Sequence, residues 1–206
     1  LGGVTATANS YTEMYDCSNS GDITFDIPAH TSITCMGGVT SYSAGKIERC
    51  NNSGKVALKN STTMRTFTVA GVVGYMNGTI ADCNNEGVVD VDIAKLDKTG
   101  TIGGIDGKKS KTAGNGSVGG IVGFAYGPES WPFSATNCIN RGAIKVSQSD
   151  SQGSLATGRF CIAGCIAAPW GDIDGCKNYG NIDVTVTNKS NTQDASTNLI
   201  TYIGGI

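Results

Sequence analysis

The chain is predicted to fold as an all-β parallel solenoid, a right-handed β-helix of about five coils with variable loops. Three observations carry that expectation. The motif C-x-N-x-G-x-[IV] occurs five times, at Cys17, Cys50, Cys83, Cys138 and Cys176. A second signature, apolar–[GA]–G–apolar, precedes each copy: LGGV at 1–4, MGGV at 36–39, VAGV at 69–72, VGGI at 118–121 and IAGC at 162–165. The segments between these fixed points vary in length, and fixed cores joined by variable connections mark a stacked repeat.

Each repeat supplies about three strand candidates. The first runs into and through the glycine pair, whose lack of side chains lets backbones approach closely at a corner. The second leads to the Cys and is anchored three residues earlier by Met14, Ile47, Ile80, Ala135 or Ile173. The third follows the C-x-N-x-G turn and alternates apolar with polar, as in ITFDI and VDVDI, around Phe25, Leu58, Val91, Val146 or Val184. Strands this short persist only when paired with equivalents in neighbouring repeats. That requirement implies parallel sheets on three faces, with coils about 4.8 Å apart. One domain over 1–206 follows, with repeats near 1–35, 36–68, 69–117, 118–161 and 162–206. The intervals between successive motif cysteines are 33, 33, 55 and 38 residues, which places long loops near 94–117, 124–137, 147–157 and 187–197. TIGGI at 101–105 matches the second signature but precedes a stronger copy, and is read as an insertion. A β-propeller is the alternative, but blades of about 40–45 residues exceed the shortest repeats.

The consensus residues acquire mechanical roles in such a stack. Gly21, Gly54, Gly87, Gly142 and Gly180 suit a turn with positive φ. Asn19, Asn52, Asn85, Asn140 and Asn178 are expected to form a ladder, each side-chain amide bonding the coils on either side. The motif cysteines, two residues before each Asn, are expected to point inward as small apolar fillers. Cys35 and Cys161 share a second slot, and Cys165 replaces a Val or Ile. In-register thiols have parallel side-chain vectors, a poor geometry for disulfides, so free buried thiols are expected. Cys161-x₃-Cys165 lacks a second ligand pair, so no metal is expected.

Composition excludes several function classes. A formal charge of −2 gives no basic field for nucleic acid, and Lys108, Lys109 and Lys111 read as a solvated loop. No run of 18 apolar residues predicts a membrane span. The chain opens at Leu1 without a charged and apolar leader, so a removed signal peptide or a segment of a longer surface protein is expected. His30 is the one histidine and nothing near it suggests a catalytic nucleophile, so it reads as a solvent-exposed loop residue and no catalytic residue is assigned. Asp90 and Asp92, like Asp172 and Asp174, alternate on the outward side of strands, where acids keep a sheet soluble. The candidate ligand-binding residues are aromatic: Trp131, Trp170 and Tyr126, with the two tryptophans in corresponding segments of adjacent repeats. No cofactor is expected.

The pairing of GVVGY (71–75) or GGIVGF (119–124) with IADCNNEGVV (80–89) resembles the GLUG-type repeat. That repeat reads G-G-[LI]-[VA]-G-x followed by I-x-x-C-x-N-x-G-x-[IV], and the resemblance covers almost the whole chain. It departs from the pattern at LGGVTATAN and AGCIAAP, which lack the second Gly and the aromatic found at Tyr75 and Phe124. GLUG-type repeats occur in large secreted and surface-anchored bacterial proteins, of Bacteroides-type organisms and of Gram-positive adhesins or proteases. The resemblance implies a β-solenoid in an extracellular or cell-surface setting and brings no catalytic residues. The expected role is a non-enzymatic stalk, adhesion or assembly module. The expected partners are other domains or further copies stacked on the solenoid ends, and a surface glycan or host protein. A carbohydrate-binding or polysaccharide-cleaving β-helix and a self-stacking filament subunit are the alternatives.

Overall fold

Five parallel sheets stacked as in a β-helix make up the structure, a computed structural model that describes residues 1–27, 33–64, 66–96, 116–127, 132–150, 159–188 and 200–206. Among the described residues there is no helix. The reason lies in the composition: β-branched residues fill the strands, and Gly, Asn and Ser punctuate them every few positions.

Each sheet takes one segment from each coil. The entry sheet contains Ile33–Gly37, Thr66–Ala70, Gly116–Gly119, Arg159–Ala163 and Ile200–Gly204. The exit sheet follows the glycine pairs, with Thr5–Ala8, Thr40–Ser43, Val73–Met76 and Val122–Ala125. The approach sheet leads to the cysteines through Glu13–Tyr15, Lys46–Glu48, Thr79–Ala81, Phe133–Thr136 and Gly171–Asp174. Two-residue strands ending in the motif Asn form the ladder sheet: Ser18–Asn19, Asn51–Asn52, Asn84–Asn85, Ile139–Asn140 and Lys177–Asn178. The long sheet carries Ile23–Ile27, Val56–Met64, Val89–Leu96, Ile144–Asp150 and Ile182–Asn188.

A coil therefore holds five strand segments where the periodicity suggests three. The glycine pair divides the first candidate into entry and exit strands. A left-handed residue just before each Cys separates the approach strand from the ladder strand. These residues are Asp16, Arg49, Asp82, Asn137 and Gly175, with φ of 53, 52, 52, 54 and 63°. The N-x-G turn then separates the ladder strand from the long strand.

Register follows the consensus. Asn19 pairs with Asn52, Asn52 with Asn85, Asn85 with Asn140 and Asn140 with Asn178. Of the loops expected near 94–117, 124–137, 147–157 and 187–197, residues 97–115, 128–131, 151–157 and 189–197 lie outside the described residues, among them TIGGI at 101–105, Lys108, Lys109, Lys111 and Trp131; His30 lies outside them too, and the stretch 124–137 also supplies the approach strand Phe133–Thr136.

The core runs along the stack in two main columns. Phe67, Val69, Val118 and Phe160 of the entry sheet meet Leu58, Val91 and Val146 of the long sheet. Val39, Val72 and Ile121, just after the glycine pairs, meet Ile47, Ile80 and Ala135 of the approach sheet. Each fully buried Val, Ile, Leu or Phe stabilises by about 1.5–3 kcal/mol. Gly116 sits between Phe67 and Phe160 in register, and its bare backbone lets the two rings reach an edge contact at 5.4 Å. A smaller column, Tyr42, Tyr75 and Phe124, stacks at centroid spacings of 5.5 and 5.2 Å.

The second glycine of each pair has a reason beyond a corner. A Cβ on Gly38, Gly71, Gly120 or Gly164 would lie 2.2, 2.1, 2.3 or 2.3 Å from Cγ of Asn52, Asn85, Asn140 or Asn178. The glycine pair thus seats directly on the ladder amide of its own coil. This contact links the two signatures across the coil and explains why they occur together in sequence.

Candidate functional site

The Asn ladder is continuous through five coils. Nδ2 of Asn19, Asn52, Asn85 and Asn140 donates to Oδ1 of the next Asn at 2.8, 2.9, 2.8 and 2.8 Å. The second Nδ2 hydrogen of each donates to the carbonyl of its own motif glycine, at 2.8 Å for Asn52 to Gly54 and Asn85 to Gly87. Asn178 does the same with Gly180 at 2.9 Å. Both Nδ2 hydrogens of the buried Asn52, Asn85 and Asn140 are thus used, which a low-dielectric site favours.

Beside the ladder runs the thiol column. None of the eight cysteines is joined in a disulfide. Cys50, Cys83, Cys138 and Cys176 are buried, and Cys17 is half-buried. The Cys50 amide donates to Cys83 Sγ at 3.3 Å, and Cys83 Sγ donates to the Ala81 carbonyl at 3.2 Å. A bond with Cys138 favours the Cys83 thiolate, but the bond with Cys50 and burial outweigh it, and the thiol is pushed up to about 12. Cys138, held likewise between Cys176 and Cys83, is also pushed up to about 12. Burial raises Cys165 to about 11. Nucleophilic and metal-binding cysteines work as thiolates; the surroundings of Cys83, Cys138 and Cys165 oppose that form, whereas the bond with Cys83 lowers the Cys50 thiol below its ordinary value.

The candidate acids are dispersed along the stack. Asp90 pairs with Lys55 at 2.5 Å, and Asp92 accepts from the Ser147 hydroxyl at 2.6 Å. Asp22 accepts from the Lys55 amide at 2.8 Å. Asp16 accepts both donors of the Arg49 fork at 2.7 and 3.0 Å, and these bonds lower its carboxyl below the ordinary value. Every one of these contacts joins neighbouring coils. Asp172 and Asp174 lie exposed on the outermost approach strand, in register with Ser134 and Thr136. Among the described residues no three His, Cys, Asp or Glu side chains come together as a metal site.

Of the aromatic candidates, the structure brings Tyr126 and Trp170 together at a ring-centroid distance of 5.8 Å. They occupy equivalent positions in adjacent coils, fixed by backbone bonds from Ala125 N to Ala168 O and from Trp170 N to Ala125 O, both 3.1 Å. Trp170 is 41% exposed. The in-register neighbour of Trp170 is therefore Tyr126, while Trp131 lies outside the described residues.

Sequence reasoning overlooked a second surface. The two variable positions of C-x-N-x-G face outward on either side of the ladder. They line a groove of about 530 Å³ that extends from Ser18 to Arg141. The signal was present in the motif itself: residues flanking an inward Asn on a strand must point out.

Compared with known protein families, curated proteins and solved structures, the chain matches none.

Proposed function

We propose that the chain is a non-enzymatic structural module, a stiff GLUG-type solenoid serving as a stalk, adhesion or assembly segment of an extracellular cell-surface protein. The observation that carries this reading is the unbroken Asn ladder, seated on the glycine pairs coil after coil. Polar groups otherwise suited to chemistry are spent on joining coils: Asp16 with Arg49, Lys55 with Asp90, Ser147 with Asp92. Such an array resists bending and extension because each coil bonds its neighbours through main chain and side chain together.

The ladder is also directional. Asn19 presents Oδ1 toward one edge and Asn178 presents Nδ2 toward the other, so any coil that continues the register meets its complement. This geometry favours stacking partners of the same kind, whether further coils or further copies. A second reading, carbohydrate binding, is favoured by the Tyr126–Trp170 pair, since an exposed indole offers a flat apolar face to a pyranose ring.

The test is the solution mass over a concentration series, with electron microscopy of the same samples. Short rods, or axial stacks that lengthen with concentration, are the expected result. Stable single rods remove self-assembly and leave the stalk or adhesion role. Particles without axial order overturn the structural reading.

A further inference from the structure

The outward face of the ladder sheet varies from coil to coil while its inward face does not. Inside, Cys, Asn and Gly are identical in all five copies. Outside, the residue between Asn and Gly reads Ser20, Ser53, Glu86, Arg141 and Tyr179, and all five are exposed. The residue between Cys and Asn reads Ser18, Asn51, Asn84, Ile139 and Lys177. The first row is exposed throughout and the second is half-buried at Asn84 and Ile139, so the first row above all can be specialised coil by coil at little cost to the fold.

We propose that this groove is a saccharide-binding site for an oligosaccharide lying along the stacking direction, with an isolated acidic sugar at the Arg141 end. The inference goes beyond the structural role and places binding on the coil body. Four features argue for it.

The groove has ligand dimensions. Its volume of about 530 Å³ lies within the roughly 300–1,000 Å³ of small-molecule sites. It crosses four coils, roughly 14 Å at the spacing of hydrogen-bonded strands.

Its lining suits hydroxyl groups. Asn84 Nδ2 donates to Asn51 Oδ1 at 3.0 Å, which orients both amides along the groove. The Asn51 amide hydrogens and the Asn84 carbonyl oxygen remain for a ligand, and Ser18 and Ser20 add hydroxyls that donate and accept. A sugar hydroxyl, itself donor and acceptor, matches this mixture.

The Arg141 end suits a carboxylate beside a ring. The Arg141 guanidinium lies 5.7 Å from the Tyr179 ring centroid and makes no ion pair among the described residues. A guanidinium beside an aromatic ring can present its fork to a carboxylate in two parallel bonds. Tyr179 is 64% exposed and offers its face to the apolar side of a sugar.

Glu86 sets the charge pattern. It lines the groove one coil from Arg141 and repels a second carboxylate there. A polyanion such as nucleic acid is disfavoured for the same reason. A mostly neutral chain bearing one acidic residue fits.

The experiment is calorimetric titration of the whole chain with two matched pairs of probes. 3′-Sialyllactose is compared with lactose, and xylotetraose bearing a single glucuronic acid with plain xylotetraose. At least one acidic probe is expected to bind about tenfold or more tightly than its neutral partner, the worth of one charge-assisted bond. Arg141→Ala should remove that preference, and Arg141→Lys should restore part of it. Tyr179→Ala should weaken both members of the pair. These side chains are exposed, so circular dichroism should show the fold intact in each variant. Absence of binding by both acidic probes overturns the proposal, as does binding that Arg141→Ala does not alter. Binding lost with Trp170→Ala alone also overturns it and moves the site to the Tyr126–Trp170 pair. None of these outcomes depends on whether the chain assembles, so the structural reading stands or falls separately.

Discussion

Gly87 adopts no left-handed conformation, and within its own coil nothing demands a glycine. Positive φ falls on the residue before each Cys, and among the described glycines only on Gly171 and Gly175. The expectation of positive φ at the motif glycines is thereby corrected. The demand comes from the coil below: a Cβ on Gly54, Gly87, Gly142 or Gly180 would lie 2.1, 2.0, 1.9 or 2.0 Å from the carbonyl oxygen of the preceding motif glycine. Gly21 has no motif glycine below it among the described residues, and the nearest neighbour of a Cβ there would be Asn19 Oδ1 at 3.7 Å. The same substitution should therefore differ sharply between coils. Gly87→Ala is expected to cost about 3 kcal/mol or more, because backbone and not a flexible side chain must move. Gly21→Ala should change stability by less than about 1 kcal/mol. Urea midpoints at a constant m-value measure both, and equal losses would show that the turn, not the stack, requires glycine. The left-handed position makes its own demand. Asp82 holds φ of 52°, so Asp82→Val should cost about 1–2 kcal/mol while Asp82→Gly stays near neutral, in the same denaturation experiment.

The ladder and the thiol column act as elements because each member serves two coils. Asn85 is fully buried; it donates to Asn140 Oδ1 and to the Gly87 carbonyl, and it accepts from Asn52 Nδ2. Removing its amide orphans all three partners, so Asn85→Ala should lose about 3–5 kcal/mol. Asn19→Ala, at the edge of the described ladder, should lose about 1 kcal/mol, and thermal unfolding of the two variants checks the contrast. The thiols give the molecule a pH response. Cys83 and Cys138 titrate near 12 and Cys165 near 11, above an ordinary value near 9. Below pH 9 both folded and unfolded chains hold these protons, and the full contribution of these three thiols is present. Between pH 9 and about 12 the unfolded chain ionises first, so stability falls as pH rises. Melting temperatures should decline over that window, and Cys138→Ala should make the decline shallower. Both columns were legible in the sequence because a parallel stack repeats its interior residue in every coil. The five-segment coil was less legible, since the residue before each Cys reads Asp, Arg, Asp, Asn and Gly, and no single residue type announces the bend.

At the scale of the molecule, contacts run from each coil to the next, and the chain behaves as a one-dimensional array. That explains which parts of the candidate sites sequence could reach. Tyr126 and Trp170 were both visible as aromatics, but their pairing depends on which loop residues come into register, and the loop of the fourth repeat hides that count. The groove was hidden for the opposite reason: its residues lie in the plainest part of the motif, at positions that carry no consensus. The array also predicts how the molecule opens. Ladder residues of the middle coils, Asn52, Asn85 and Asn140, are buried, whereas Asn19 and Asn178 are half-buried. A coil with neighbours on both sides must break two interfaces to open, and a coil at an edge of the array breaks one. Amide hydrogen exchange of the purified chain should therefore be slowest at Asn84, Asn85 and Ile139. It should quicken through Asn51 toward Ser18 and through Lys177 toward the final strand, with opening free energies graded by coil. Asn85→Ala should invert the centre of that profile, raising exchange at Asn84 and Ile139 while Asn19 and Asn178 change little. Uniform exchange across all five coils would mean that the stack opens only as a whole, and that nearest-neighbour coupling is too strong for the array description to hold.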